Sequence, residues 1–292
     1  MKYIFLDTFA LKQITQDHYK MLNDYLEKQG FHLVISSFQL IEYYSPIVEG
    51  GDRTARAIQL LAVTPFVIVN QSDICDAEER SYPAILMDLP YRIKSSDIFG
   101  NLNILERMVV LYRMFHEGIP ESGFNLKEWV DDHLVTKKDW LGYVEAIISH
   151  AQQTQAIHSK NKFTQALDLR FCDRILEAIA KLSDTTKHDR QFKIAINKLA
   201  VMQERNDSWR LRGIHLSSLI FWYDYIIANK KRHASDEGDI LHSMLFPYCS
   251  LVVTDASRVD CLEQIQRKEN RYLNTRFLRL KDFVAELTFG AA

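Results

Sequence analysis

The stretch that decides how this chain is read is Ser235–Asp260, SDEGDILHSMLFPYCSLVVTDASRVD. It opens on acids suited to a helix N-terminus, runs through a short apolar helix to Pro247, and ends in a strand, Ser250–Thr254. Asp255 follows that strand directly. A carboxylate at the carboxyl end of a buried strand lies on the rim where open α/β sheets place their ligand sites. Tyr3–Leu6 repeats the pattern at the start of the chain, an apolar run ending on Asp7-Thr8.

Outward from these two points the chain alternates between strand and helix. A helical stretch from Thr8 to about Lys28 ends at Gly30, and Phe31–Ser36 is β-rich. Ser37 is expected to cap a short helix closed by Pro46, with Glu42 about one turn inside it. Gly50-Gly51 is a turn, Arg53–Leu61 a helix and Phe66–Val69 a third strand. Strands alternating with helices predict a parallel sheet built from right-handed crossovers.

From about Ser96 to Ala228 the sequence shows only helical patterns. The stripes are Ile104/Met108/Leu111/Phe115, Leu141/Val144/Ile148, Leu169/Cys172/Leu176/Ile179 and Phe192/Ile196/Leu199, before the nearly all-apolar Ile214–Ile227. Sheet grammar resumes with Ser235–Asp260, a helix over Ser257–Arg267 and an edge strand over Arg276–Leu280. The expected organisation is an α/β domain split between residues 1–95 and 229–292, interrupted by an all-helical insertion over 96–228. Pairing the first strand with the fourth would bring Asp7 and Asp255 to one rim.

Charge is nearly balanced, 36 basic against 38 acidic residues, so no global field marks a nucleic-acid partner. A local basic face or a metal-filled carboxylate site would still accept one. The cysteines Cys75, Cys172, Cys249 and Cys261 are scattered without metal-ligand spacing, which fits a reduced, cytoplasmic compartment. No signal peptide and no membrane span are expected: Leu60–Val69 is broken by Pro65, and Leu216–Ala228 is short and carries Asp224. Glycine-rich phosphate loops, the His-Glu-x-x-His pattern and the Gly-x-Ser-x-Gly elbow are all absent.

An acidic cluster on a strand rim suits hard divalent cations, which take carboxylate and water oxygens and serve phosphoryl chemistry. Asp236 and Asp239, three residues apart, share a helix side. Taken singly, each acid has a plainer reading. Asp7 can cap the helix after it, Glu42 can be a solvated helix residue, and Asp236 can simply favour a helix start. His242 is read first as a packed or hydrogen-bonding histidine on the same rim.

As an ordered set, these residues resemble the PIN-domain nucleases. The resemblance rests on Ile4-Phe5-Leu6-Asp7-Thr8, on Val34-Ile35-Ser36-Ser37-Phe38-Gln39-Leu40-Ile41-Glu42, on Asp239-Ile240-Leu241-His242-Ser243 and on Leu251-Val252-Val253-Thr254-Asp255. It covers roughly Met1–Val69 and Ala234 to the end. It implies a parallel sheet of order 3-2-1-4-5 and an endonuclease dependent on Mg2+ or Mn2+. The substrate would be nucleic acid, RNA rather than DNA, cut to a 5′-phosphate and a 3′-hydroxyl. Asp7, Glu42, Asp239 and Asp255 would be catalytic metal ligands. Asp236 competes with Asp239 for the third position; Asp239 is preferred because the apolar helix follows it directly, with Asp236 as a second ligand. Arg258, Lys231 and Arg232 are the phosphate-binding candidates, although charge runs are usually solvated faces. The helical segment is the expected place for substrate, a homodimer contact or a regulatory protein partner. The competing class is a non-catalytic PIN-like scaffold that uses the helical segment to bind a partner.

Overall fold

The computed structural model describes residues 1–14, 16–40, 42, 53–117, 145, 208–228, 230–231, 233, 236–267 and 273–289. Strand β1 (Lys2–Leu6) leads into helices α1 (Thr8–Gln13) and α2 (Gln16–Gln29), then β2 (Phe31–Ser36). Helix α3 (Arg53–Val63), β3 (Phe66–Val69), α4 (Gln71–Ser81), β4 (Ile93–Lys94), α5 (Ser95–Phe99) and α6 (Ile104–Glu117) follow. After the central segment come α7 (Arg212–Trp222), α8 (Asp236–His242), β5 (Leu251–Thr254), α9 (Ala256–Gln266), β6 (Arg276–Arg279) and α10 (Leu280–Phe289).

The strands form one six-stranded sheet of order β4-β3-β2-β1-β5-β6. It is mostly parallel, with β4 antiparallel to β3, so the sheet is mixed where an all-parallel one was expected. Two residues are too few to show alternation in sequence, which is why β4 was not foreseen. The expected single helix from Thr8 to Lys28 is two helices, α1 closing at Gln13 before α2 begins at Gln16. Gly30, at φ +67°, supplies the left-handed turn from α2 into β2.

Inner strands β1, β3 and β5 are almost continuously apolar because both faces are covered. Alternation divides their side chains between two cores. Tyr3, Phe5, Val67 and Val252 face a layer containing Leu216, Leu219, Ile220 and Phe246. Ile4, Leu6, Ile68 and Val253 face the other, with Leu22, Leu26, Leu61 and Phe115. Full burial of one such side chain contributes about 1.5–3 kcal/mol. Edge strand β6 carries Arg276 and Arg279, which pair with Glu286 and Asp260, a charged edge that discourages further strand addition.

Both described ends of the 96–228 segment lie in these layers: Leu111, Met114 and Phe115 of α6 in one core, and Leu216 to Phe221 of α7 in the other. The expected stripes at Leu141–Ile148, Leu169–Ile179 and Phe192–Leu199 lie outside the described residues. Among those described, no helix is long and apolar enough to cross a membrane.

Candidate metal centre

β1 runs parallel between β2 and β5, and its ladder to β5 extends one residue past the strand, where Asp7 N–H donates to Val253 O at 2.9 Å. Chain connections leave β1 toward β2 on one side and β5 toward β6 on the other. The rim between β1 and β5 is therefore the switch point of the sheet.

Asp7 sits on that rim as the N-cap of α1, accepting from Thr8 N–H at 2.7 Å. Its other carboxylate oxygen accepts from the Thr254 hydroxyl at 3.0 Å. Capping therefore accounts for one oxygen and leaves the other facing β5. Burial raises the Asp7 carboxyl above its usual range, and Glu42 adds to the rise. His242, Thr254 and Thr8 oppose it.

Glu42 is brought in by a capping box at the end of β2. The Ser36 hydroxyl accepts from Gln39 N–H, and the Gln39 side-chain oxygen accepts from Ser36 N–H, both at 3.1 Å. Gln39 Nε2 also donates to Leu6 O at 2.6 Å, tying the helical residues 37–40 to the end of β1. The cap is thus Ser36 rather than the expected Ser37, whose hydroxyl instead donates to Gln71. The signal, Ser-x-x-Gln directly after a strand, was present in the sequence. Glu42 Oε2 is buried without a hydrogen-bond partner, and its Oε1 is 3.7 Å from where a Cβ on Gly238 would stand.

Helix α8 supplies Asp239 and His242, three residues apart on one side. One ligand atom from each of Asp7, Asp239 and His242 lies within 4.8 Å of the other two. Asp239 is exposed, yet its carboxyl is pushed up to about 7, by the packing around its carboxyl end first and then by the charge of Asp7. Arg258, Glu42 and Lys230 contribute smaller effects, the two cations opposing the rise. The His242 ring is buried beside Phe5 and Phe38, centroids 5.6 and 6.0 Å away, with no hydrogen-bond partner on either nitrogen. Burial lowers its pKa against the pull of Glu42 and Asp7, favouring neutral imidazole.

The remaining expected residues have other partners. Asp236 is buried and accepts from Tyr225 OH, Lys230 Nζ and His233 N–H at 3.0–3.1 Å, fastening the start of α8. Asp255 stands on the same rim, one residue past the level of Asp7. It is exposed and caps α9 by accepting from Arg258 N–H at 3.0 Å. It is not one of the three residues whose ligand atoms converge. Arg258 is buried, its guanidinium held by both oxygens of Asp224 at 2.9 and 3.3 Å. Lys231 is exposed, and Arg232 lies outside the described residues.

In the sequence Asp224 stands out only as an interruption of an apolar run. It lies on a π-helical turn, Tyr223–Ile227, that continues α7. A buried acid in an otherwise apolar helix requires a counter-ion, and Arg258 is that partner. The pair also fixes a positive charge near Asp239.

No family model, no curated protein and no solved structure matches this chain. Fold and site together define an α/β protein with an open, mostly parallel sheet and a carboxylate–imidazole cluster on its carboxyl rim.

Proposed function

We propose that this protein is a metal-dependent nuclease of the PIN-like type, an endoribonuclease whose site holds Mg2+ or Mn2+. The observation that carries the reading is the convergence of Asp7, Asp239 and His242 within 4.8 Å, with Glu42 beside them, at the switch point of the sheet. The order β3-β2-β1-β5-β6 among the parallel strands agrees with the sheet order of that family.

The donor set fits a divalent cation. Two carboxyl groups hold protons more tightly than usual, first because of burial and then because of neighbouring acids; a buried Glu42 oxygen has no donor, and both His242 nitrogens lack partners. A cation there would supply neutralising charge and Lewis acidity for phosphodiester hydrolysis. Asp7, Glu42 and Asp239 would hold it. Thr254 orients Asp7 through its hydroxyl, Gln39 locks the Glu42 helix to the end of β1, and the Arg258–Asp224 pair keeps a fixed positive charge beside Asp239. Asp255 stands on the solvent side of the rim, where capping α9 leaves one carboxylate oxygen open to a substrate-side role.

The test is cleavage of labelled single-stranded RNA and DNA with manganese, magnesium or EDTA, comparing wild type with Asp7→Asn and Asp239→Asn. Metal-dependent cutting that falls by about 100-fold or more in both variants is expected, since each loses a ligand to the charge-bearing group. Undiminished cutting by both variants would sink the mechanism. The scaffold reading draws on Asp236, Asp255 and Arg258, each of which is engaged within the protein. That alternative requires that manganese leave thermal stability unchanged.

A further inference from the structure

Resting on the carboxylate site proposed above, we infer that His242 is a nitrogen ligand of that site, and that the site selects a transition-series divalent cation such as manganese over magnesium. The imidazole is 2 % exposed, yet neither ring nitrogen has a hydrogen-bond partner. Buried polar groups in native proteins ordinarily have one, so an unpartnered ring set among carboxylates points to a ligand role. A ligand atom of the ring lies within 4.8 Å of those of Asp7 and Asp239. That spacing allows all three to reach one ion.

The ring is not free to turn away. It packs against Phe5 of β1 and Phe38, and its position three residues after Asp239 keeps it on the same side of α8. The site therefore presents oxygen donors and one preplaced imidazole nitrogen. Magnesium takes hard oxygen ligands and gives up its waters reluctantly, whereas imidazole suits first-row transition ions. An all-carboxylate site would accept magnesium and manganese with little distinction. One nitrogen donor shifts the balance toward manganese.

The experiment measures manganese and magnesium binding to the full chain by calorimetry, with pulsed electron paramagnetic resonance of the manganese complex. Wild type, His242→Phe and Asp239→Asn are compared. Wild type should bind manganese roughly tenfold tighter than magnesium and show hyperfine coupling to a directly bound nitrogen. His242→Phe, which extends the existing aromatic cluster, should lose the coupling and lose the preference, its manganese affinity falling to the level of its magnesium affinity. Asp239→Asn should weaken both metals, placing them at this site. Manganese bound without nitrogen coupling, or an unchanged metal ratio in His242→Phe, would overturn the inference while leaving the carboxylate site standing. Absence of binding by either metal to wild type would remove both readings together. Should His242→Phe fail to fold, the wild-type spectrum alone decides.

Discussion

Asp239 shows how a candidate ligand can work against the fold that carries it. A carboxyl raised in the folded state keeps a proton that the unfolded chain has already released. The stability it contributes is therefore present below the ordinary value of 3.8 and is lost as pH climbs toward about 7. Asp239→Asn removes that loss. In EDTA the variant should be more stable than wild type at pH 8, by on the order of 1 kcal/mol once its exposure is discounted. The gain should shrink as pH falls toward 5, and urea denaturation at both pH values checks it. Glu78 follows the same sign in a structural setting. Its buried carboxyl is pushed up to about 7 by burial, while hydrogen bonds from Tyr248, Gly213 and Ile214 oppose the rise. Both of its oxygens accept backbone N–H groups at the start of α7, so Glu78→Gln would point an amide NH2 at one of those donors. A loss of about 1–3 kcal/mol in urea denaturation is expected.

Short elements bring the acids together, and their joints were only partly legible in the sequence. The Ser36/Gln39 box sets the angle at which Glu42 enters. Gln39→Ala should therefore cost about 1 kcal/mol of stability and also weaken manganese binding, which calorimetry would detect. Loss of stability with unchanged manganese affinity would mean that the box does not position Glu42. The Asp224–Arg258 pair is a different kind of joint, linking the π-helical turn to α9. Removing one partner leaves a buried charge unmatched, so Asp224→Asn should destabilise by about 3–5 kcal/mol in denaturant titration. Nothing in the spacing of Asp224 and Arg258, 34 residues apart, announced the pair. Only the packing of α7 and α9 against the same core reveals it.

For the whole molecule, the burial and crowding of these carboxyls would make folding and cation binding one linked equilibrium. Ligands must release protons before they bind, and Asp7 and Asp239 release theirs late. Manganese should raise thermal stability more at pH 8 than at pH 6, reaching about 2.7 kcal/mol at a hundredfold excess over the dissociation constant. A pH-independent or absent effect in thermal denaturation would contradict a metal centre built from these groups. The parallel strands, the rim positions of Asp7 and Asp255, and the pairing of first and fourth expected strands were readable in the sequence, whereas the two-residue antiparallel β4 was not. Apolar runs ending on a carboxylate are local patterns, and the crossover rule orders them. Which acids meet was decided by tertiary structure. Register places Thr254, not Asp255, against Asp7, and the face of α8 presents Asp239 and His242. Asp236 is turned into a network with Tyr225 and Lys230 instead. Side-chain partners are fixed by how elements distant in sequence pack against one another, and local periodicity carries no record of that packing.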